Sequence, residues 1–446
     1  MQETPRKNYD DLFSPVTSHT HSRAFSPPAH HQQRWYSRSS RTFLLWAAIG
    51  LVLLTLPIGA WMLFQATQRQ QVRVARYQPV QADAQTVVPP ALDPAHKIAR
   101  YIDQMVARLS LDEELGQMII VEFSGTSFNS DLQTMLTKQH AGGTILYAWN
   151  VHSIAQTAAL NKASQAQAQI PLFISTDQEG GLVNRLLHIS GWIPSAQEIG
   201  ASGDPARAAQ RGQSDAQALL QMGINLNLAP VVDVQTVSNS ATIIPTRMFG
   251  TTPQQVATFA GAYLEALQNA GVIGCIKHWP GLGNATVDPH DALPIFNRSQ
   301  ADLNNIDFAP YRLLMQQGLV NMIMSTHELV PAYDPNLPAS LSPILIDQVL
   351  RHDLGYQGVV ITDGLYMHAL ARWSVPQAAV LAVLAGNDIL LGPTNSRSMQ
   401  QVLDALRTAI ANGQITKARI DQSVERILML KMRAGLIPLP PDLNQQ

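Results

Sequence analysis

The sequence predicts an α/β chain whose main body is a TIM-like (β/α)8 barrel, and three observations support this. Eight short apolar runs alternate with longer amphipathic or Ala-rich segments, the pattern of successive βα units. Polar residues suited to chemistry cluster just past the ends of those runs, where a barrel carries its active site. An uncharged apolar stretch near the N-terminus stands apart, so one transmembrane helix and a disordered tail are expected to precede the barrel.

From the N-terminus, residues 1–41 are rich in Ser, Pro, His, Gln and Arg without hydrophobic periodicity and are expected to be a disordered cytoplasmic tail. His19, His21, His30 and His31 lack the Cys or acidic partners of a zinc site, which argues against a metal there. A transmembrane anchor is expected over 42–65. Its uncharged core, Phe43 to Phe64, reaches about 33 Å as a helix, against a bilayer core of roughly 30 Å. Trp46 and Trp61 suit the two interfaces. The segment ahead of it is long for a signal-peptide n-region, which favours an uncleaved anchor. Arg34, Arg38 and Arg41 balance Arg69, Arg73 and Arg76, while Arg6, Lys7 and Arg23 tip the N-terminus inward and place the barrel outside the cell membrane. Residues 66–94, Gln-rich and then Pro-rich, read as a linker to a barrel over 95–440.

Within the barrel the strand candidates are Met118 to Glu122, Gly143 to Ala148, Pro171 to Thr176, Ile224 to Ala229, Val272 to Lys277, Val320 to Ser325, Gly358 to Thr362 and Asp388 to Leu391. Helices are expected over Pro205 to Met222 and Pro253 to Ala270, capped by Asp204 and Thr252, and over Pro343 to Asp353 and Met399 to Asn412. Eight units suit one closed barrel better than an open doubly wound sheet.

The chain has 446 residues, 46% hydrophobic and 14% charged, enough for a large core. A formal net charge of -2 and the absence of a nucleic-acid signature exclude nucleic acid as a partner. Cys275, the single cysteine, leaves no disulfide framework or thiolate metal site and reads as a small core residue. There is no G-x-S-x-G elbow, no H-E-x-x-H helix and no Walker loop.

The densest functional signal is CIKHWPGLGNATVDPHDALP, Cys275 to Pro294, which brings Lys277, His278, Asp288 and His290 into one loop after a strand. An Asp two residues before a His can orient the imidazole as a proton shuttle near neutral pH. Other strand ends lead to Asp177, Asp233, His327 with Glu328, and Asp363.

These motifs resemble glycoside hydrolase family 3, in its single-barrel β-N-acetylhexosaminidase branch. The resemblance spans about residues 97 to 438 and rests on TDQEGG (Thr176 to Gly181), NLNLAPVVDV (Asn225 to Val234), RMFG (Arg247 to Gly250), KHWPGLG (Lys277 to Gly283), DPH (Asp288 to His290) and ITDGLYM (Ile361 to Met367), in that order. It implies Asp363 as nucleophile, His290 paired with Asp288 as acid/base, and Asp177, Arg185, Arg247, Lys277 and His278 as the grip on the reacting sugar. It further implies a retaining exo-β-N-acetylglucosaminidase acting on peptidoglycan or chitin-type fragments, without metal or organic cofactor, as a monomeric barrel. The chain departs from the family pattern at Leu182, Leu282, Pro289 and Gly364, where an arginine, a histidine, a small residue and a second acidic residue are usual.

Other roles stay open at this level. Arg185 and Arg247 could be structural ion-pair partners of Asp177 or Asp233, Lys277 could snorkel outward, His278 and His327 could be hydrogen-bonded core residues, and Glu179 could only cap a turn. A β-glucosidase, a glycoside phosphorylase or a non-catalytic sugar-binding barrel would share most of this sequence.

Overall fold

The computed structural model describes residues 94–237, 244–283, 285 and 287–439. The expected tail, with its four histidines, the span Phe43 to Phe64 and nearly all of the linker lie outside these residues. Among the described residues no helix is long and apolar enough to cross a membrane.

Eight parallel strands close into a barrel in sequential order: β1 (Ile119–Val121), β2 (Gly143–Leu146), β3 (Phe173–Thr176), β4 (Leu226–Asn227), β5 (Ile273–Trp279), β6 (Met322–Ser325), β7 (Val359–Gly364) and β8 (Ile389–Leu391). Each coincides with one expected apolar run. Closure is made by β1, which pairs with β8 through Ile119 and Leu390 and with β2 through Ile120 and Gly143. Because the strands are covered on both faces, they read as continuous apolar runs rather than alternating ones. Strand β5 runs two residues beyond its expected end, and its pairing with β6 shifts register between Lys277 and Trp279.

Helices form the outer layer. Pro205–Gln221 starts where the Asp204 carboxylate accepts from the Ala206 N–H, and Pro253–Asn269 where the Thr252 hydroxyl accepts from Gln255. Both carry Pro in the first turn, where no N–H is missed. They bury Leu219, Phe259, Leu264 and Leu267, the last two against Gly274 of β5, each contributing about 1.5–3 kcal/mol of apolar burial. The segment Ile344–Asp353 is wound as a π-helix rather than an α-helix, and the last expected helix begins three residues early, at Ser396, capped by Asn395. Two hairpins lie outside the barrel: Gln178–Gly180 with Val183–Asn184 after β3, and Leu329–Val330 with Asp334–Pro338 after β6.

Candidate active site

At the C-terminal ends of β3, β4, β5 and β7 the side chains singled out by sequence converge. Asp177 leaves β3 and Glu179 follows on the adjoining hairpin, which Asn227 of β4 anchors by accepting from the Gln178 N–H at 2.9 Å. Lys277 of β5 is buried rather than snorkelled. Its ammonium sits 2.6 Å from Asp177 Oδ1 and 2.7 Å from Glu179 Oε1. Arg247 forks onto Glu179 with contacts of 2.7 and 2.8 Å, so Glu179 bridges two cations and does more than cap a turn. Burial alone would raise the Glu179 carboxyl, but Arg247 and Lys277 outweigh it and hold it far below the ordinary range.

The network continues into His278. Arg247 Nη2 lies 3.0 Å from its Nε2, and Asp233 Oδ2 lies 2.7 Å from its Nδ1. A guanidinium only donates, so Nε2 accepts and the Nδ1 proton points to Asp233. Asp233 also accepts from the backbone N–H groups of His278 and Leu282, both at 3.0 Å, and thereby fixes the start of the glycine-rich loop. Arg185 stands further out, 3.8 Å from Asp177 and over the Tyr147 ring at 5.5 Å.

Asp363 lies on β7, next to its last residue, and accepts from the Gly364 N–H at 2.8 Å. Burial pushes its carboxyl up, but the imidazoles of His327, His278 and His290 together with that N–H prevail and hold it below the ordinary aspartate range. His327 is a buried positioning residue: it contacts Ser340 Oγ at 2.7 Å and the Gly364 carbonyl at 3.0 Å, bracing the strand end that carries Asp363.

His290 sits on the loop after β5 with its side chain 47% exposed. Its Nδ1 and its backbone N–H both donate to Asp288 Oδ1, at 2.7 and 3.0 Å, which fixes the orientation of the imidazole. Burial favours the neutral imidazole, but the Asp288 hydrogen bond and the Asp363 charge prevail and raise its pKa. Asp288 is held down at about 2, burial notwithstanding, by its two bonds from His290. The loop is tied to the segment after β7, where Ala369 donates to the Pro289 carbonyl at 3.1 Å.

Two of the departures from the family pattern, Leu282 and Gly364, are explained by packing. Leu282 packs with Val231, Met248 and Ala285. A Cβ on Gly283 would stand 1.8 Å from the Val234 carbonyl oxygen, so this glycine permits close packing rather than a hinge. At Gly364 a Cβ would stand 2.8 Å from the Tyr366 ring, which occupies that space instead.

The strand ends also bring in a group that motif reading passed over. Glu122, after β1, accepts from the Tyr147 hydroxyl at 2.8 Å, and that hydroxyl lies 3.0 Å from the hydroxyl of Tyr366. Burial pushes the Glu122 carboxyl up to about 7. Its position as the polar end of an apolar run was the available signal. Glu328, shortlisted from the sixth strand end, is instead buried with both carboxylate oxygens lacking a hydrogen-bond partner among the described residues, and burial raises it far above the carboxylate range. No group of His, Cys, Asp and Glu among the described residues is arranged to hold a metal ion.

Residues 110–430 match the glycosyl hydrolase family 3 N-terminal domain. The chain belongs to glycosyl hydrolase family 3. Within this family it is 34% identical to the β-hexosaminidase LpqI of Mycobacterium tuberculosis over 73% of the chain and 84% of that protein. It is 31% identical to β-hexosaminidase A of Pseudoalteromonas piscicida over 73% of the chain, and spans 61% of that longer protein. Among solved family 3 structures, a β-N-acetylglucosaminidase from Paenibacillus superposes with a TM-score of 0.71 at 35% identity, covering 75% of this chain and 65% of that one.

Proposed function

We propose that this chain is a retaining exo-β-N-acetylglucosaminidase that removes terminal N-acetylglucosamine from peptidoglycan or chitin-type fragments. The observation that carries the reading is geometric: Asp363 stands at the end of β7, and the Asp288-oriented His290 is on a loop tied to the segment just after β7 through the Ala369 N–H and the Pro289 carbonyl. Asp363 attacks the anomeric carbon while His290 Nε2 delivers a proton to the departing glycosidic oxygen, leaving a glycosyl ester on Asp363. The now neutral imidazole then takes a proton from water as that water attacks the same carbon, which frees the sugar and restores both groups. Asp177, Arg185, Arg247, Lys277 and His278 hold the hydroxyls of the reacting ring, and their mutual ion pairs fix that grip before substrate arrives. Relatives that carry the β-hexosaminidase name support the choice of sugar.

Hydrolysis of nitrophenyl β-N-acetylglucosaminide and nitrophenyl β-glucoside, each with and without phosphate, tests the reading. The expected result is cleavage of the first substrate without a phosphate requirement. Cleavage of the glucoside alone, or release of a sugar phosphate, would assign the site to a glucosidase or a phosphorylase instead.

The cellular setting belongs to the same proposal. Residues 1–41 form a cytoplasmic tail, 42–65 anchor the chain in the cell membrane, 66–94 link, and the monomeric barrel over 95–440 works outside. Fractionation followed by protease treatment of intact cells tests this, with the barrel expected to sediment with membranes and to be cut from outside.

A further inference from the structure

Beside the reacting subsite, Trp149 lies flat against Tyr147, with ring centroids 4.5 Å apart and planes inclined by 23°. Trp149 is nonetheless 48% exposed, and Tyr366 is 37% exposed. Large aromatic surface exposed beside a cluster of polar strand-end residues is a mark of a binding site rather than of a core. We propose that Trp149, backed by Tyr147 and Tyr366, is the platform for the sugar ring on the leaving-group side of the scissile bond. This rests on the glycosidase reading above and adds a second saccharide subsite to it.

Three observations place the platform on that side. Tyr366 follows Asp363 by three residues, so the aromatic surface begins where the anomeric carbon must sit. His290, which protonates the leaving oxygen, is on a loop docked against the same post-β7 segment through the Pro289 carbonyl and the Ala369 N–H. The side chains of Asp177, Glu179, Lys277, Arg247 and His278 are charged or polar and suit the hydroxyls of a terminal ring, whereas the exposed Trp149 indole suits the apolar C–H face of a pyranose.

The platform is also rigid before substrate binds, which limits the entropy lost on capture. Tyr147 is held by Glu122 and Tyr366, and Arg185 lies against its ring. The short 3-10 turn Ala148–Asn150 that carries Trp149 is pinned by Asn150, whose Oδ1 accepts from the Tyr147 N–H and whose Nδ2 donates to the Phe123 and Gly125 carbonyls.

The test compares wild type, Trp149→Ala and Trp149→Phe on the β-1,4-linked disaccharide of N-acetylglucosamine and on methyl β-N-acetylglucosaminide, whose leaving group has no ring. In Trp149→Ala the ratio of kcat/KM for disaccharide over methyl glycoside is expected to fall roughly tenfold, mainly through KM, as loss of an aromatic anchor implies. Trp149→Phe should recover most of that ratio and controls for folding. A ratio within about twofold of wild type in Trp149→Ala, with wild type active, overturns the platform and leaves the glycosidase reading standing. Should wild type cleave neither substrate, the glycosidase reading fails, and tryptophan-fluorescence titration with the disaccharide decides the platform. Quenching that is lost in Trp149→Ala supports it, and no binding by wild type overturns it.

Discussion

Two buried charge networks sit at opposite ends of the barrel, and they use the same residue types to opposite ends. At the N-terminal end, Asp388 precedes β8 and receives Arg351, Arg426 at 3.0 Å, Ser423 at 2.8 Å and the Val360 N–H at 2.9 Å, with Arg419 at 3.7 Å. Its carboxylate is wholly buried and takes donors from the segment Ile344–Asp353, from β7 and from the helix Lys417–Arg433. At the C-terminal end, Asp177, Glu179, Lys277, Arg247, His278 and Asp233 form a comparable chain of pairs. That chain opens outward through Arg185 and stands beside Asp363 and the half-exposed His290. A sealed network whose acceptors are saturated can only hold elements together. One that opens on a cleft retains donors and acceptors for a ligand, and its preorganised charges act on whatever enters.

The comparison is broken most severely by Asp363→Asn. It should lower kcat on nitrophenyl β-N-acetylglucosaminide by about 10⁴-fold while the melting temperature stays near wild type, because the lost carboxylate serves the reaction rather than packing. Preserved turnover would end its assignment as nucleophile. The opposite profile is expected from Asp388→Asn. Leaving the buried Arg351 and the half-buried Arg419 and Arg426 without their shared anion should cost about 3 kcal/mol of stability, read as the denaturant midpoint, with kcat of the remaining folded enzyme close to wild type. An unchanged midpoint would show that the sealed network contributes no net stability.

His290→Ala sharpens the functional side. The protonated imidazole is the acid, and its pKa is raised, so wild-type activity should be retained below that value and lost as pH rises through it. The variant should lose about 100-fold or more in kcat and also lose that basic limb, as a pH–rate profile will reveal.

The smallest expected effect concerns Glu122. Its carboxyl titrates at about 7 when folded, well above a free glutamate, so the folded state favours the protonated form. Stability is therefore greatest below the unfolded value of roughly 4.5 and falls as pH rises toward 7, reaching a deficit on the order of 2 kcal/mol. Glu122→Gln should match wild type at pH 4 and exceed it at pH 8 in denaturant midpoint. Equal midpoints at pH 8 would mean that the Tyr147 hydrogen bond offsets the burial.

Motif reading placed residues well where side-chain type and chain position sufficed. Asp363, His290 with Asp288, Lys277 and His278 all lie at or beyond strand ends, because a parallel barrel sends every such residue to the same face. It was weaker where a role depends on what another strand supplies. Glu179 reads locally as a turn residue and becomes a bridge only because β5 delivers Lys277 and a distant segment delivers Arg247. Gly283 reads locally as one more residue of the loop after β5, yet it is packed against the Val234 backbone and its carbonyl accepts from the Thr236 N–H.

By itself, the sequence determined the barrel, since eight apolar runs of strand length separated by capped amphipathic segments leave few other ways to bury the apolar surface. It also determined which carboxylates and imidazoles stand at the catalytic face. Only the tertiary structure decided which charges pair, that His327 braces the end of β7, and that Tyr147 stacks on Trp149 while its hydroxyl meets that of Tyr366. Those outcomes depend on distances of a few ångströms between residues far apart in the chain, and periodicity along the chain carries no information about them.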